Sequence, residues 1–173
     1  MRDIHPDGLE LVKKWEGIMD GDPTTLNLDP YIDPVGIWTI GWGHAIRDPA
    51  SAAGSYLRGP AAKATAFALY PGGITRAQAE TLLKADLLDA ARDVEHFVKV
   101  PLTDLQFAAL CSFEFNCGGL RRSTLLKLLN AGDYSGAAAQ FNRWVTGLVD
   151  GERRTLPGLV SRRRDERRLF ELA

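Results

Sequence analysis

Cysteine is scarce in this chain of 173 residues, where Cys111 and Cys117 are the only two. Their setting reads as one helix and its end. That puts their Cα atoms roughly 9 Å apart at 1.5 Å of rise per residue, too far for a disulfide. A disulfide framework is thereby excluded, a reduced, cytoplasmic site of synthesis is expected, and the spacing matches no zinc motif. Net charge is nearly absent as well, at −1, so bulk charge gives no reason to expect nucleic acid as a partner. Long apolar runs are missing too. The opening MRDIHPDGLELVKKWEG lacks the apolar core of a signal peptide, and no stretch reaches the ~18 apolar residues of a membrane span. There are no internal repeats and no low-complexity linker. What is present is an ordinary globular composition, 45% hydrophobic and 25% charged. It suits a single domain over residues 1–173 with one sizeable core.

Local signals place the elements. Residues 6–16 read as a helix: Pro6 suits a first turn, Leu9, Val12, Lys13 and Glu16 recur at spacings of three or four, and Gly17 stops it. Residues 17–30 are turn-rich and read as a loop or irregular hairpin. Residues 31–44 read as a β-hairpin. Its turn is Asp33-Pro34-Val35-Gly36, a type I signal, and Ile37 to Ile40 favour a strand. Gly41 and Gly43 point to a bend or a close backbone approach. Residues 45–74 are irregular, with a short helix expected between Pro60 and Pro71. From Thr75 the pattern is helical. Thr75 with Gln78 and Thr103 with Gln106 form capping boxes. Five helices are expected: one from Thr75 to Phe97, one closed by Gly118-Gly119, one from Ser123 to Gly132, one from Ser135 through Trp144, and one from Pro157 to about Leu169. The fold class is α+β and mostly helical, with a β-rich lobe over about 17–60 and a helical lobe made by the remainder. A cleft is expected where the first helix meets the hairpin.

Charge is unevenly distributed. Residues 151–173 hold seven arginines against four acidic residues, an excess of +3, so the first 150 residues sum to −4. A solvated helix with internal charge pairs explains this, and so does contact with an anionic surface. One of Arg162 and Arg163 is expected to turn inward and pair with an acidic residue of the first helix, with Glu16 a candidate. Arg164, Arg167 and Arg168 are expected outside.

Two carboxylates stand in positions suited to chemistry. Glu16 ends an amphipathic helix beside Trp15. A carboxyl held against apolar surface stays protonated more easily, because burial penalises the charged form. Taken by itself, though, a glutamate at a helix end is ordinarily solvated. Asp33 opens a tight turn, where aspartate commonly caps the backbone. Thr39, six residues on and across the hairpin, suits a strand on propensity alone. Together the carboxylate and the hydroxyl can hold one water. His44 suits a structural hydrogen bond to a neighbouring loop. Asn116 suits a helix-end cap. Trp38 and Trp42 suit packing, with Trp42 the better candidate for stacking on a sugar, and Cys111 suits the core.

Glu16-Gly17 followed by Tyr31-Ile32-Asp33-Pro34-Val35-Gly36-Ile37-Trp38-Thr39-Ile40-Gly41-Trp42-Gly43-His44 resembles the active-site segment of the phage lysozymes of glycoside hydrolase family 24. That pattern is a Glu, an Asp, five residues, then a Thr inside a TIGxGH strand. The resemblance continues in order through Leu105 to Leu110, Ser112 to Gly118, Ser123 to Leu126, Arg143-Trp144, Gly158 to Val160, Arg162 to Arg164 and Glu166. One departure stands out. The family usually has eight residues between the Glu and the Asp, and here sixteen lie between Glu16 and Asp33. The extra residues are expected to lengthen the first hairpin, and Asp29-Pro30 competes with Asp33-Pro34. The Thr39 spacing and the turn-to-strand context favour Asp33.

The resemblance implies hydrolysis of the β-1,4 bond between N-acetylmuramic acid and N-acetylglucosamine in peptidoglycan, with inversion. Glu16 would be the acid, Asp33 the base or electrostatic support, and Thr39 the residue that positions water. Gly43, His44 and Asn116 would be substrate-binding. No metal or cofactor is implied. The implied setting is a monomer made in the bacterial cytoplasm and released to the periplasm through a holin pore. A lytic transglycosylase, which needs only the acid, and a non-catalytic wall-binding or virion module are the other readings. Asp33 and Thr39 argue against the first, and the presence of all three of Glu16, Asp33 and Thr39 argues against the second.

Overall fold

The computed structural model describes residues 2–149 and 151–172. Packing divides the chain into two compact units. Residues up to Trp15 join those from Leu87 onward in one unit, and Glu16–Asp86 form the other.

The first unit is helical. Helix α1 (Pro6–Glu16) opens it, with Pro6 in the first turn and the Asp7 N–H donating to His5 Nδ1 at 3.2 Å. Its centre is α4 (Asp104–Cys117). The expected capping box is present: Gln106 N–H donates to Thr103 Oγ1 at 3.2 Å, and Thr103 N–H to Gln106 Oε1 at 3.0 Å. At the far end Gly118 takes φ +55°, a left-handed cap open to glycine at no steric cost. Every residue of this helix from Phe107 to Glu114 is buried. A helix apolar around its whole girth belongs inside a bundle. It is packed around by α5 (Thr124–Asn130), α6 (Tyr134–Gln140), α7 (Pro157–Glu171) and the end of α3 (Arg76–Phe97). Phe113, Phe141 and Trp144 meet edge-to-face at centroid distances of 5.3 and 5.4 Å. Helix α6 starts one residue before the expected Ser135, because Asp133 is the cap, accepting from Gly136 N–H at 2.7 Å. Between α6 and α7 lies an unforeseen two-stranded ribbon, β4 (Thr146–Val149) paired with β5 (Glu152–Thr155).

In the second unit β1 (Tyr31–Ile32), β2 (Trp38–Ile40) and β3 (His44–Ala45) form one antiparallel sheet in that order. The expected single hairpin is thus two hairpins sharing β2. Trp38, Ile40, Ile46 and Leu57 form the core with Leu28, Ala66, Ile74 and Ala79. Helix α2 (Lys63–Leu69) is the short helix expected after Pro60. The extra residues before Tyr31 do not lengthen the first hairpin. They close a loop of their own: Asp20 Oδ1 accepts from the N–H groups of Asp22 and Asp29, and Gly21 N–H donates to Asp29 O. Leu28 and Ile74 then exchange two backbone hydrogen bonds of 2.8 and 2.9 Å. The loop is therefore tied to the sheet's own core.

Candidate active site

Glu16 is the last residue of α1 and is half-buried. The chain turns immediately after it, with Gly17 at φ +66°. Asp33 closes the β1–β2 turn. Its Oδ1 accepts from Val35 N–H at 2.9 Å and Ile37 N–H at 2.8 Å, and Gly36 N–H donates to Asp33 O at 3.0 Å. Gly36 at φ +83° completes the turn. Asp33 is thus the turn-capping residue its context suggested, and both bonds to its carboxylate fall on one oxygen. Oδ2 lies outside them.

Register decides which neighbours Asp33 has. Tyr31 lies opposite Thr39 and Ile32 opposite Trp38, and Asp33 N–H donates to Ile37 O at 2.8 Å one step further along. Opposed residues share a face, as do alternate residues of one strand. Asp33, the first residue after β1, therefore stands at the turn end of the hairpin in which Tyr31 faces Thr39. Thr39 is buried, and its hydroxyl reaches Tyr31 O only at 3.4 Å, a long bond that a better acceptor would replace. Asp29 sits differently. It is 5% exposed, and its Oδ2 lies 2.6 Å from the Thr25 hydroxyl, inside the closed loop.

Gly41 and Gly43 make the second turn at φ +64° and +81°. At Gly41 an added Cβ would sit 2.8 Å from the Ala79 Cβ, whereas Gly43 has open space around it. The close approach anticipated from the glycines thus belongs to Gly41. His44 Nδ1 lies 3.0 and 2.9 Å from the two oxygens of Asp86. The expected partner was a loop, and the actual one is a carboxylate on α3. Helical spacing hides this pair, since Asp86 is 42 residues away. A carboxylate on Nδ1 fixes the ring and leaves Nε2 as its other face. Trp38 packs as expected, buried, with Nε1–H donating to Gly59 O at 2.8 Å and its ring edge-on to Phe67. Trp42 packs partly buried against the same core.

Asn116 is not a helix-end cap. Helix α4 runs on through Cys117, and the exposed Asn116 accepts through Oδ1 from the Arg163 guanidinium. Both Arg162 and Arg163 are buried, where only one was expected inside. Arg163 pairs with Glu166 of its own helix, not with α1, because positions three apart lie on one helix face. Arg162 Nε donates to the other oxygen of Glu166 at 3.1 Å, and Ser112 Oγ to the same oxygen at 2.7 Å. Ser112 was legible as a polar residue in an apolar run. Arg164 and Arg168 are exposed, and Arg167 pairs with Glu171 at 2.8 Å.

Glu114, a further buried carboxylate, caps the turn after α4 by accepting from Leu120 N–H at 2.7 Å. Burial pushes its pKa above the usual carboxylate value, and the neighbouring Asp93 adds to the rise against the Leu120 hydrogen bond and Arg122. Cys111 and Cys117 are both free, and burial raises their thiols to about 12 and about 11, so neither is a nucleophile at neutral pH. Among the described residues no cluster of three His, Cys, Asp or Glu side chains could hold a metal ion.

The sequence matches the family described as phage lysozyme over residues 13–166. The chain belongs to that family. It is 39% identical to an endolysin of Acyrthosiphon pisum secondary endosymbiont phage 1, with 98% of this chain and 99% of that one covered. The fold is similar to the endolysin from Escherichia coli O157:H7 phage FAHEc1, with a TM-score of 0.75 and 31% identity over 98% of this chain and 93% of that one. It is also similar to a crystal structure of a mutant P22 lysozyme, with a TM-score of 0.71 and 31% identity over 99% of each chain. This lysozyme is a glycoside hydrolase, a muramidase of the endolysin type, and its substrate is peptidoglycan. No described helix is long and apolar enough to cross a membrane.

Proposed function

We propose that Glu16 donates the proton to the leaving glycosidic oxygen, that Asp33 activates or electrostatically supports the attacking water, and that Thr39 helps to position it. The bond cleaved joins N-acetylmuramic acid to N-acetylglucosamine, and attack by water on the face opposite the leaving group inverts the anomeric carbon. One observation carries this reading. The turn's N–H groups use Oδ1 of Asp33 and leave Oδ2 outside them, in the same hairpin that carries Thr39 opposite Tyr31. A carboxylate held by two backbone N–H groups with its second oxygen outside them suits a base, and a transglycosylase has no need of one.

Gly43, His44 and Asn116 are the substrate-binding residues of this reading. Gly43 has open surroundings that let a sugar approach its backbone. Asp86 holds His44 at Nδ1, so that Nε2 is the ring atom available to a hydroxyl. Asn116 carries an amide at the surface. In the cell the enzyme acts as a monomer, is made in the host cytoplasm and reaches the periplasm through a holin pore. Its exposed C-terminal arginines touch the anionic envelope. The test of the acid is Glu16→Gln, which keeps the shape but has no proton to give. Lysis should fall by ~10²–10⁴-fold with the fold intact. Near-normal lysis by the folded variant refutes the assignment.

A further inference from the structure

Arg163 is 1% exposed and held on every side. One terminal nitrogen donates to Glu166 Oε2, Nε donates to Trp144 O at 3.1 Å, and the guanidinium carbon stands 4.9 Å from the Phe113 ring centroid. Glu166 is fixed in turn by Ser112 and Arg162. The second terminal nitrogen of Arg163 donates to Asn116 Oδ1. A guanidinium has donors only, so an amide can face it only with its oxygen. A flipped amide would set its NH₂ against a cationic donor. The orientation of this exposed asparagine is therefore dictated from below, and its NH₂ group is left outside the contact with Arg163.

We infer that Arg163 is a positioning residue which fixes the way the Asn116 amide faces, so that Asn116 offers its NH₂ to a carbonyl acceptor of the kind an N-acetyl group carries. The inference rests on the reading of Asn116 as substrate-binding. A free asparagine could offer either end of its amide by turning over, and this one is held with its oxygen on Arg163. An N-acetyl carbonyl accepts and fits. The ammonium of a de-N-acetylated amino sugar only donates, and gives this NH₂ no acceptor. One unmet polar contact of this kind is worth roughly tenfold to a hundredfold in kcat/KM.

The test uses the full chain and two substrates, peptidoglycan with its N-acetyl groups and the same material after de-N-acetylation. Asn116→Asp keeps an oxygen for Arg163 but turns an acceptor outward. Its preference for N-acetylated over de-N-acetylated glycan should drop by about tenfold or more relative to the wild type. Asn116→Ala should lower kcat/KM on the N-acetylated glycan. Arg163→Lys, which replaces the fork by a single point donor, should lower kcat/KM in the wild-type background and leave it unchanged in the Asn116→Ala background. A role for Arg163 in folding alone would give the same proportional loss in both. If Asn116→Ala has no effect, the substrate contact itself is wrong. If Asn116→Ala is impaired while Asn116→Asp matches the wild type on both glycans, the contact stands and the fixed orientation is overturned. That comparison stands whether or not Arg163→Lys folds.

Discussion

Exchanging Asp33 and Asp29 for asparagine should produce opposite signatures. In Asp33→Asn the amide oxygen inherits the bonds from Val35 and Ile37 N–H, now 2.9 and 2.8 Å long. Hydrogen bonds to a charged group are worth ~1.5–3 kcal/mol and neutral ones ~0.5–1.5. Loss of the charge therefore costs on the order of 1 kcal/mol, or ~2–4 °C in Tm for a chain of this size. The second oxygen becomes an NH₂ that cannot take a proton from water, which should cost ~10²–10⁴-fold in rate, or about 3–5 kcal/mol of barrier. In Asp29→Asn the balance reverses. That carboxylate is 5% exposed, and its Oδ2 lies 2.6 Å from the Thr25 hydroxyl. Replacing one oxygen by NH₂ weakens that bond and leaves a buried polar group poorly matched, for about 1–3 kcal/mol, while lysis by the folded protein stays near wild type. The assays are turbidity loss of permeabilised Gram-negative cells and thermal unfolding of the same preparations. A Tm-neutral Asp29→Asn that no longer lyses cells, beside an active Asp33→Asn, would reverse the choice of partner for Glu16.

The remaining predictions concern folding, pH and salt. Glu114 has its pKa raised by burial, so the folded state favours its protonated form. That stability is complete below the ordinary carboxylate range and is lost as pH rises through the raised value. Glu114→Gln keeps an acceptor for Leu120 N–H and should therefore gain in Tm relative to the wild type on going from pH 4 to pH 7, and a gap that shrinks over that range contradicts the sign. Gly43→Ala at φ +81°, with open space around it, should cost only the left-handed backbone penalty of ~1–2 kcal/mol. Gly41→Ala adds a clash with Ala79 and should cost ~1–3 kcal/mol more, so equal Tm values for the two would show that the contact relaxes freely. Replacing Arg164, Arg167 and Arg168 together by Gln should slow lysis at low salt and matter little at high salt, since exposed charges are screened over ~8 Å at physiological ionic strength. Equal activity to wild type at both salts would leave these arginines as ordinary solvated surface.

Short-range chemistry was legible in the sequence. The capping boxes at Thr75 and Thr103, the Asp33 to Gly36 turn and the glycine stops at Gly17 and Gly118 depend on residues within about four positions of each other. Each formed where its spacing said it would. The ordered match from Glu16 to Glu166 gave the family for the same reason, since it needs only residue types in order. What the sequence could not give are the pairings between distant positions. His44 with Asp86, Leu28 with Ile74 and Arg163 with Asn116 are 42, 46 and 47 residues apart. No periodicity selects one carboxylate or amide from many at that range. Nor could spacing tell that α4 is buried around its whole girth, because burial of its outer face depends on where α7 packs. The tertiary structure decided these matters because buried charges and backbone groups must find partners wherever packing leaves them. Here that requirement turned Arg163 towards Glu166 and Asn116 and drew the extra residues before Tyr31 into a closed loop.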